Sequence, residues 1–433
     1  MTWGPFGRAA ATLLLVASVT LVAAAPASAR PAARPVSPPS AWTDGNALGR
    51  TTGFLQTAWA SDCPPPSGRC ATDRGPRMGV FWQRAHSAKP SAWGPPHRVS
   101  QPHVQAARPA LAAADDHVYV AWVTQTSYLH YRAKAPRRLW IRASGNQGST
   151  WGKARALNPP GTRADYPVIA ASGDDAWVMW TAATSGDIRM ASSIDGGAHW
   201  SVRTIGTTTS GAGSAEGFHG YPAMGASGTN VMAAWFAGPA GKQVALVSHI
   251  GATDWSSSSV PTPLTPASPN DGVHYPVVRG ADDGVTNDVA VAYTTTSGID
   301  VRLYDGASLG ASQTVAGPWV AGSAYAGGYG AAAMPFATGD VAVVWSGCRR
   351  AKGGRNPCRP NVKSSRIDLL ERETTNAGTV WSARLRLAAA TGVTPVNEDP
   401  SLEADGATGL RSFIWLRRTA SWTSYRLWVD NRT

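Results

Sequence analysis

Six short steps in the chain place a polar or ionisable side chain directly before a Pro or Gly. They are Arg108-Pro109, Tyr166-Pro167, Tyr221-Pro222, Tyr275-Pro276, Tyr329-Gly330 and Asp399-Pro400. Asp165, His219, His274 and Glu398 lie one or two residues ahead of four of these steps, with Glu216, Asp271 and Tyr325 in the same stretches. Tyrosines interleaved with carboxylates and imidazoles supply proton donors, proton acceptors and hydrogen-bonding faces, the makings of a polar pocket. The plainer alternative is that Tyr166, Tyr221 and Tyr275 pack where repeated units meet. His219 and His274 are of metal-ligand type, but neither has a His or Cys at ligand spacing, so no metal and no cofactor are expected. A second group of residues is basic. Arg69, Arg74 and Arg77 form one cluster, Arg132, Lys134, Arg137 and Arg138 another, and Arg349, Arg350, Lys352, Arg355 and Arg359 a third. Arg417 and Arg418 follow near the end.

The elements that must position these groups are short and repeated. Each polar step precedes, by 14 to 18 residues, the aromatic that closes an apolar run. The runs are Phe54 to Trp59, Val118 to Trp122, Trp177 to Trp180, Val231 to Trp235, Val289 to Tyr293, Val341 to Trp345 and Ser412 to Trp415. Rich in Val and aromatics and bounded by Gly, Asp and Asn, they read as buried strands. Small residues after most steps, as in Pro167-Val168-Ile169-Ala170-Ala171, suit strands crowded near an axis, with Pro at the first strand residue.

A third series is turn chemistry. Ser193, Asp195, Gly197 and Trp200 have the spacing of Ser144, Asn146, Gly148 and Trp151, and of Thr374, Asn376, Gly378 and Trp381. Worn copies run from His86 to Trp93 and from Ser248 to Trp255, and another is eroded near Asp305-Gly306. Asp or Asn bonds nearby backbone amides, the Gly supplies positive φ, and the Trp covers the turn as the next strand begins. The pattern resembles the Asp-box, or BNR repeat, of sialidase-like β-propellers. That resemblance implies an all-β propeller of four-stranded antiparallel blades, the box turns joining third to fourth strands on the face away from the binding site. Seven aromatic-ended runs favour seven blades, with six left open. A strand around Trp42 to Leu48 is a candidate to close the ring beside the last unit.

Composition bounds the rest. Residues 1–29 have the form of a secretion signal: Arg8, the apolar run Ala9 to Ala25, and the small-residue site Ala27-Ser28-Ala29. Residues 30–40 read as a Pro- and Ala-rich linker and 41–433 as the propeller, with no membrane span after signal cleavage. Export makes the four cysteines candidates for disulfides; local pairing of Cys63 with Cys70 and Cys348 with Cys358 is expected, crossed long-range bonds being the alternative. The net charge of +12 favours anionic partners, and nothing resembles a nucleic-acid motif.

Three functions follow as expectations: a secreted propeller that binds an acidic glycan or other polyanion through basic loops such as those of Arg137 and Arg350, a sialidase-like glycoside hydrolase, and an extracellular protein-interaction platform. For the hydrolase, the resemblance implies three arginines clamping a carboxylate, an Asp acid/base and a Tyr nucleophile paired with Glu. Asp165, Tyr329 and Glu398 take those three roles by position. Against it stands the missing Arg-Ile-Pro-type motif, whose nearest match is Arg108-Pro109. No further arginine is evident at the entries to inner strands.

Overall fold

The computed structural model describes residues 34–36, 43–61, 78–87, 92–102, 104–125, 137–208, 221–237, 244–250, 262–264, 274–281, 288–295, 298–316, 332–336, 340–348, 367–375, 380–383, 385–388, 396–404, 411–418 and 425–432. The described residues form strands and turns with no helix, in the compact unit Ala33–Thr433.

The strands make a β-propeller. Five sheets have four antiparallel strands each, with inner strands Thr43–Thr51, Gln105–Ala114, Ala164–Ser172, Ala223–Ser227 and His274–Gly280. A sixth sheet has nine strands and two inner strands, Ala332–Phe336 and Val396–Ala404. The number of separate sheets is therefore six, the count left open by the sequence, and not the favoured seven. The reason is local: a parallel pairing of Ile367 with Val396 joins the last two repeat units into one sheet. The outer end of this double sheet is completed from the other end of the chain. Arg34 and Pro35 pair with Val429 and Trp428 of the strand Tyr425–Arg432. The closing strand thus lies inside the stretch read as a linker, and the segment expected to close the ring, Thr43–Thr51, is instead the inner strand of the first sheet. Pro35 is tolerated because an edge strand can spare an N–H.

Apolar clusters fill the junctions between consecutive units. Trp82 and Val80 of the first sheet meet Trp122 and Val118 of the second, and Trp235 of the fourth meets Trp177 and Met190 of the third. The aromatics closing the runs, Trp59, Trp122, Trp180, Trp235, Tyr293, Trp345 and Trp415, are all buried on the second strand of their units. A sheet buried on both faces needs such runs, because neither side can be polar.

The polar steps and the closing aromatics turn out to be one device. Inner strands bulge between Ala107 and Ala110, Asp165 and Val168, His274 and Val277, and Glu398 and Ser401. The two extra residues of each bulge, such as Tyr166-Pro167, stand opposite Trp122, Trp180, Tyr293 and Trp415 respectively. In these four steps Pro sits within the bulge and not at the first strand residue, whereas Pro222 directly precedes the strand Ala223–Ser227. A bulge has no ladder bond for it to break.

At the opposite end, two turns share one set of hydrogen bonds. Ser144 Oγ donates to Asn146 Oδ1 at 3.0 Å and accepts from Gly148 N at 2.9 Å. Ser193 Oγ donates to Asp195 Oδ1 at 2.8 Å and accepts from Gly197 N at 2.9 Å. Asn146 Oδ1 and Asp195 Oδ1 then accept from the amides of Thr150 and His199, both at 2.8 Å. The bond from the His199 amide, with those from the His199 and Ser193 side chains, holds the Asp195 carboxyl far below the usual carboxylate range. Trp200 Nε1 closes its turn on Gly197 O at 3.0 Å. The third copy keeps Thr374, which accepts from Val341 N at 2.7 Å, and Trp381, which donates to Gln313; Asn376 and Gly378 lie outside the described residues. The worn copy at Asp305 still caps the amides of Ala307 and Ser308. Cys63, Cys70 and Cys358 lie outside the described residues, while Cys348 ends the strand Asp340–Cys348.

Two stability predictions follow from this frame. Gly197 has φ +88°, and a Cβ there would lie 2.7 Å from Ala143 Cβ. Gly197→Ala should cost about 1–3 kcal/mol in urea unfolding, from the backbone penalty and the clash together. Glu403, deep between the inner strands, has its carboxyl pushed up from 4.5 to about 7 by burial, against the pull of Arg279 and Arg50. The folded chain thus keeps a proton that the unfolded chain releases, so stability should fall as pH rises from 4.5 to 7 and then level off. Glu403→Gln should flatten that slope in unfolding measured across this range.

Candidate functional site

The bulges deliver side chains to the end of the ring away from the Ser144 and Ser193 turns. The strand Arg138–Ser144 runs between the two ends, with Arg137 just before it at one and the turn at the other. Arg108, Tyr166 and Tyr221, from three consecutive units, all adopt left-handed backbone, with φ of 51°, 51° and 40°. Such angles are unfavourable for residues with a Cβ, and they persist where surrounding structure over-determines them. At Arg108 and Tyr166 the bulge does so, turning the side chain out of the ladder's alternation, while Tyr221 lies just before the strand Ala223–Ser227.

The three side chains touch in sequence. The Arg108 guanidinium lies 4.1 Å from the Tyr166 ring centroid, and the Tyr166 ring lies 4.7 Å from that of Tyr221. Tyr221 in turn meets Phe236 edge-on at 6.2 Å. A cation over an aromatic face is worth about 0.5–1 kcal/mol when exposed and about 2 when desolvated. The result is a stripe of one cation and two phenol rings.

Beneath the stripe lies the most heavily paired carboxylate among the described residues. Asp165 is fully buried and accepts from Arg108 Nη1 at 2.7 Å, from Arg163 Nη2 at 3.0 Å, and from Arg137 Nη1. Arg137 and Arg163 are buried as well, while the Arg108 side chain keeps 22% of its surface. Backbone links hold this geometry. Arg137 and Arg163 form a parallel bridge, Ala164 N donates to Arg137 O at 3.1 Å, and Asn158 Nδ2 donates to the same carbonyl at 2.9 Å. One carboxylate faces three guanidiniums, and of the three only Arg108 reaches the surface. Asp165 has its oxygens committed to arginines and no surface of its own, so its geometry suits holding a cation in place.

The sequence-derived candidates divide accordingly. Arg108, Arg137, Asp165, Tyr166 and Tyr221 are brought together. His274 and Tyr275 belong to the strand His274–Gly280, and Tyr275 has the bulge position that Tyr166 holds two units earlier; Glu398 and Asp399 sit likewise in Val396–Ala404. His219, Tyr329 and Arg350 lie outside the described residues, as do Arg69, Arg74, Arg77, Arg132, Lys134, Arg349, Lys352, Arg355 and Arg359. Two arginines escaped the sequence reading: Arg163, at the entry to the inner strand Ala164–Ser172, altogether, and Arg137, just before the third strand Arg138–Ser144, as a member of a constellation. The signal was present in Arg163-Ala164-Asp165-Tyr166-Pro167, where a cation stands two residues before a carboxylate, on the same side of an extended strand. No three His, Cys, Asp or Glu side chains gather as a metal site among the described residues.

Comparison with known proteins places the fold and goes no further. No protein-family model matches the chain, and no curated protein matches it. Among solved structures, a protein of unknown function from Dyadobacter fermentans DSM 18053 aligns with a TM-score of 0.50 at 12% identity, over 93% of this chain and 100% of that one. An α-L-arabinanase from Penicillium chrysogenum, complexed with arabinobiose, aligns at 0.47 and 11% identity, over 93% and 98%. The intramolecular trans-sialidase from Ruminococcus gnavus aligns at 0.46 and 9% identity, over 90% and 94%. At such identities the likeness to the Dyadobacter protein is one of fold alone.

Removing the buried counter-charge should be the costliest change in the cluster. Asp165→Asn keeps the shape but leaves two buried guanidiniums without their carboxylate, and should cost about 3–5 kcal/mol. Arg108→Ala, at the partly exposed end, should cost about 1 kcal/mol. Parallel denaturant titrations of the two variants check the ratio.

Proposed function

We propose that the chain is an exported binding propeller whose mouth takes an acidic glycan, with Arg108 meeting a carboxylate and Tyr166 and Tyr221 meeting the sugar face. The observation that carries this reading is the Arg108–Tyr166–Tyr221 stripe, set at left-handed positions over three guanidiniums that share one carboxylate. Arginine suits a carboxylate because its N–H groups form parallel bonds to both oxygens. Aromatic faces suit the apolar side of a sugar ring, and loops on a rigid scaffold are where such sites collect. The charge of the whole chain would steer polyanions towards it.

A second reading, a sialidase-like hydrolase, is favoured by the convergence of Arg108, Arg137 and Arg163 on one carboxyl group. In that case Asp165 acts as a positioning group, and proton transfer falls to Tyr329, Glu398 or Asp399.

The test is titration of uronate and sialylated oligosaccharides against the full chain, with a neutral oligosaccharide as control. Acidic ligands should bind in preference, with affinity falling steeply between 50 and 300 mM salt (roughly, given screening lengths near 10 Å). Arg108→Ala and Tyr166→Ala should each weaken binding about tenfold or more, as the loss of a charge-assisted bond or an aromatic contact implies. Absence of binding at low salt, or binding indifferent to both substitutions, would end this reading. Turnover of a fluorogenic sialoside that Tyr329→Phe abolishes would establish the second.

A further inference from the structure

The last unit sets a guanidinium over an aromatic face at the mouth end of the ring. Its second and third strands, Arg411–Arg418 and Tyr425–Arg432, pair Trp415 with Trp428 and Arg417 with Arg426. Trp415 stands opposite the Asp399-Pro400 bulge, and Arg417 lies two residues nearer the mouth, opposite Asn397. The Arg417 guanidinium lies 4.6 Å from the Trp428 ring centroid, and both side chains are partly exposed.

The second unit builds a similar platform in the same register. There Trp122 pairs with Trp140 and Thr124 with Arg138, and Trp122 likewise faces a bulge. The Arg138 guanidinium lies 5.9 Å from the Trp140 ring centroid, again with both side chains partly exposed. Trp140 packs on the cluster between the first and second units, so this platform faces the first unit. One position differs. Thr124 accepts from Trp140 Nε1 at 3.1 Å, and Arg417 is its equivalent in the last unit.

Neither cation has a counter-charge. No described carboxylate pairs with Arg138 or Arg417, whereas Arg108, Arg137 and Arg163 share Asp165. Burial pulls Arg417 below the ordinary arginine value, and its Nε is without a partner. The residue directly opposite is Arg426, and like charges at facing positions are destabilising with no anion between them. A guanidinium stacked on an indole still offers its N–H edge, already oriented, to a carboxylate. Between the two platforms, the inner strand Thr43–Thr51 has its own irregularity at Gly45, which brings no side chain there.

We propose that Arg417 and Trp428 form a second anion subsite, so that the mouth takes an acidic polysaccharide chain running from Arg108 and Arg138 across the first unit to Arg417. This rests on the glycan reading and extends it from one sugar to a polymer. Packed sheets lie about 10 Å apart, so units on either side of a third are separated by more than one sugar ring. A chain with repeated carboxylates engages both platforms, and the second contact then gains from the tether.

The experiment is calorimetric titration of the full chain with oligogalacturonides from the dimer to the decamer. Affinity should rise about tenfold or more once the oligomer is long enough to reach Arg417. Arg417→Gln should reduce the affinity of the decamer to that of the dimer. Should that variant not fold, Arg138→Gln decides in its place, since Arg138 lies on the same path. Dimer binding with no gain for longer oligomers, or a gain that survives the substitution, would overturn this inference and leave the glycan reading standing. Failure of dimer and decamer alike would remove both. A single-stranded oligonucleotide of matched charge that binds more tightly than the decamer would overturn the assignment to a polysaccharide.

Discussion

The structure depends on ring closure. No unit of this chain can bury both faces of its sheet alone, because every apolar cluster is shared between two consecutive units. The last junction is the one that makes the others permanent. There, Arg34 and Pro35 extend the sheet that ends in Tyr425–Arg432, and Val36 packs against a cluster of Leu48, Leu55, Trp59, Phe81 and Ile414. The Arg108–Tyr166–Tyr221 stripe and the buried grouping of Glu403 with Arg279 and Arg50 are each assembled from three units. The second of these groupings spans the closure, since Arg50 comes from the first unit and Glu403 from the last.

Within the ring, the bulge is what separates a packing surface from a chemical one. An inner strand that kept strict alternation would point every second side chain into the channel and the rest along the sheet. Inserting Arg108-Pro109 or Tyr166-Pro167 opposite a buried Trp breaks that alternation at one place, near one end. Below the bulge the strand returns to small residues such as Ala112, Ala170 and Gly280 and can crowd towards the axis. The same strands therefore present ionisable and aromatic groups at one end and close-packed backbone at the other.

Much of this was legible in the residues, and the boundary between legible and hidden has a physical basis. The buried second strands announced themselves through Val-rich runs ending in Trp or Tyr, because a strand covered on both sides leaves little choice. The turns at Ser144 and Ser193 were legible because their bonding is local, all within eight residues. The Pro steps were visible, but local sequence does not distinguish the first residue of a strand from a bulge inside it. That depends on the partner strand, where Trp122 or Trp180 takes up the space. The Arg137–Arg163–Asp165 cluster joins the entry of one unit's third strand to the next unit's inner strand, so Arg137 stands 28 residues from its carboxylate in the chain. Arg34–Pro35 carried no strand signal at all, since two residues in a Pro- and Ala-rich stretch become a strand only through what lies beside them. The fused sixth sheet was invisible for a similar reason, resting on one pairing between Ile367 and Val396.

The pairing of Arg34 and Pro35 with Trp428 and Val429 has a consequence for biogenesis. A polypeptide made from its amino terminus onward must keep that short leading segment available until nearly four hundred further residues have emerged. Until then the apolar side of Trp59 and Phe81 has no permanent cover. Loop-closure entropy makes so distant a contact slow to find. The half-made molecule is thus an open arc with sticky ends, and its safest history is one in which those ends meet each other before they meet a neighbour.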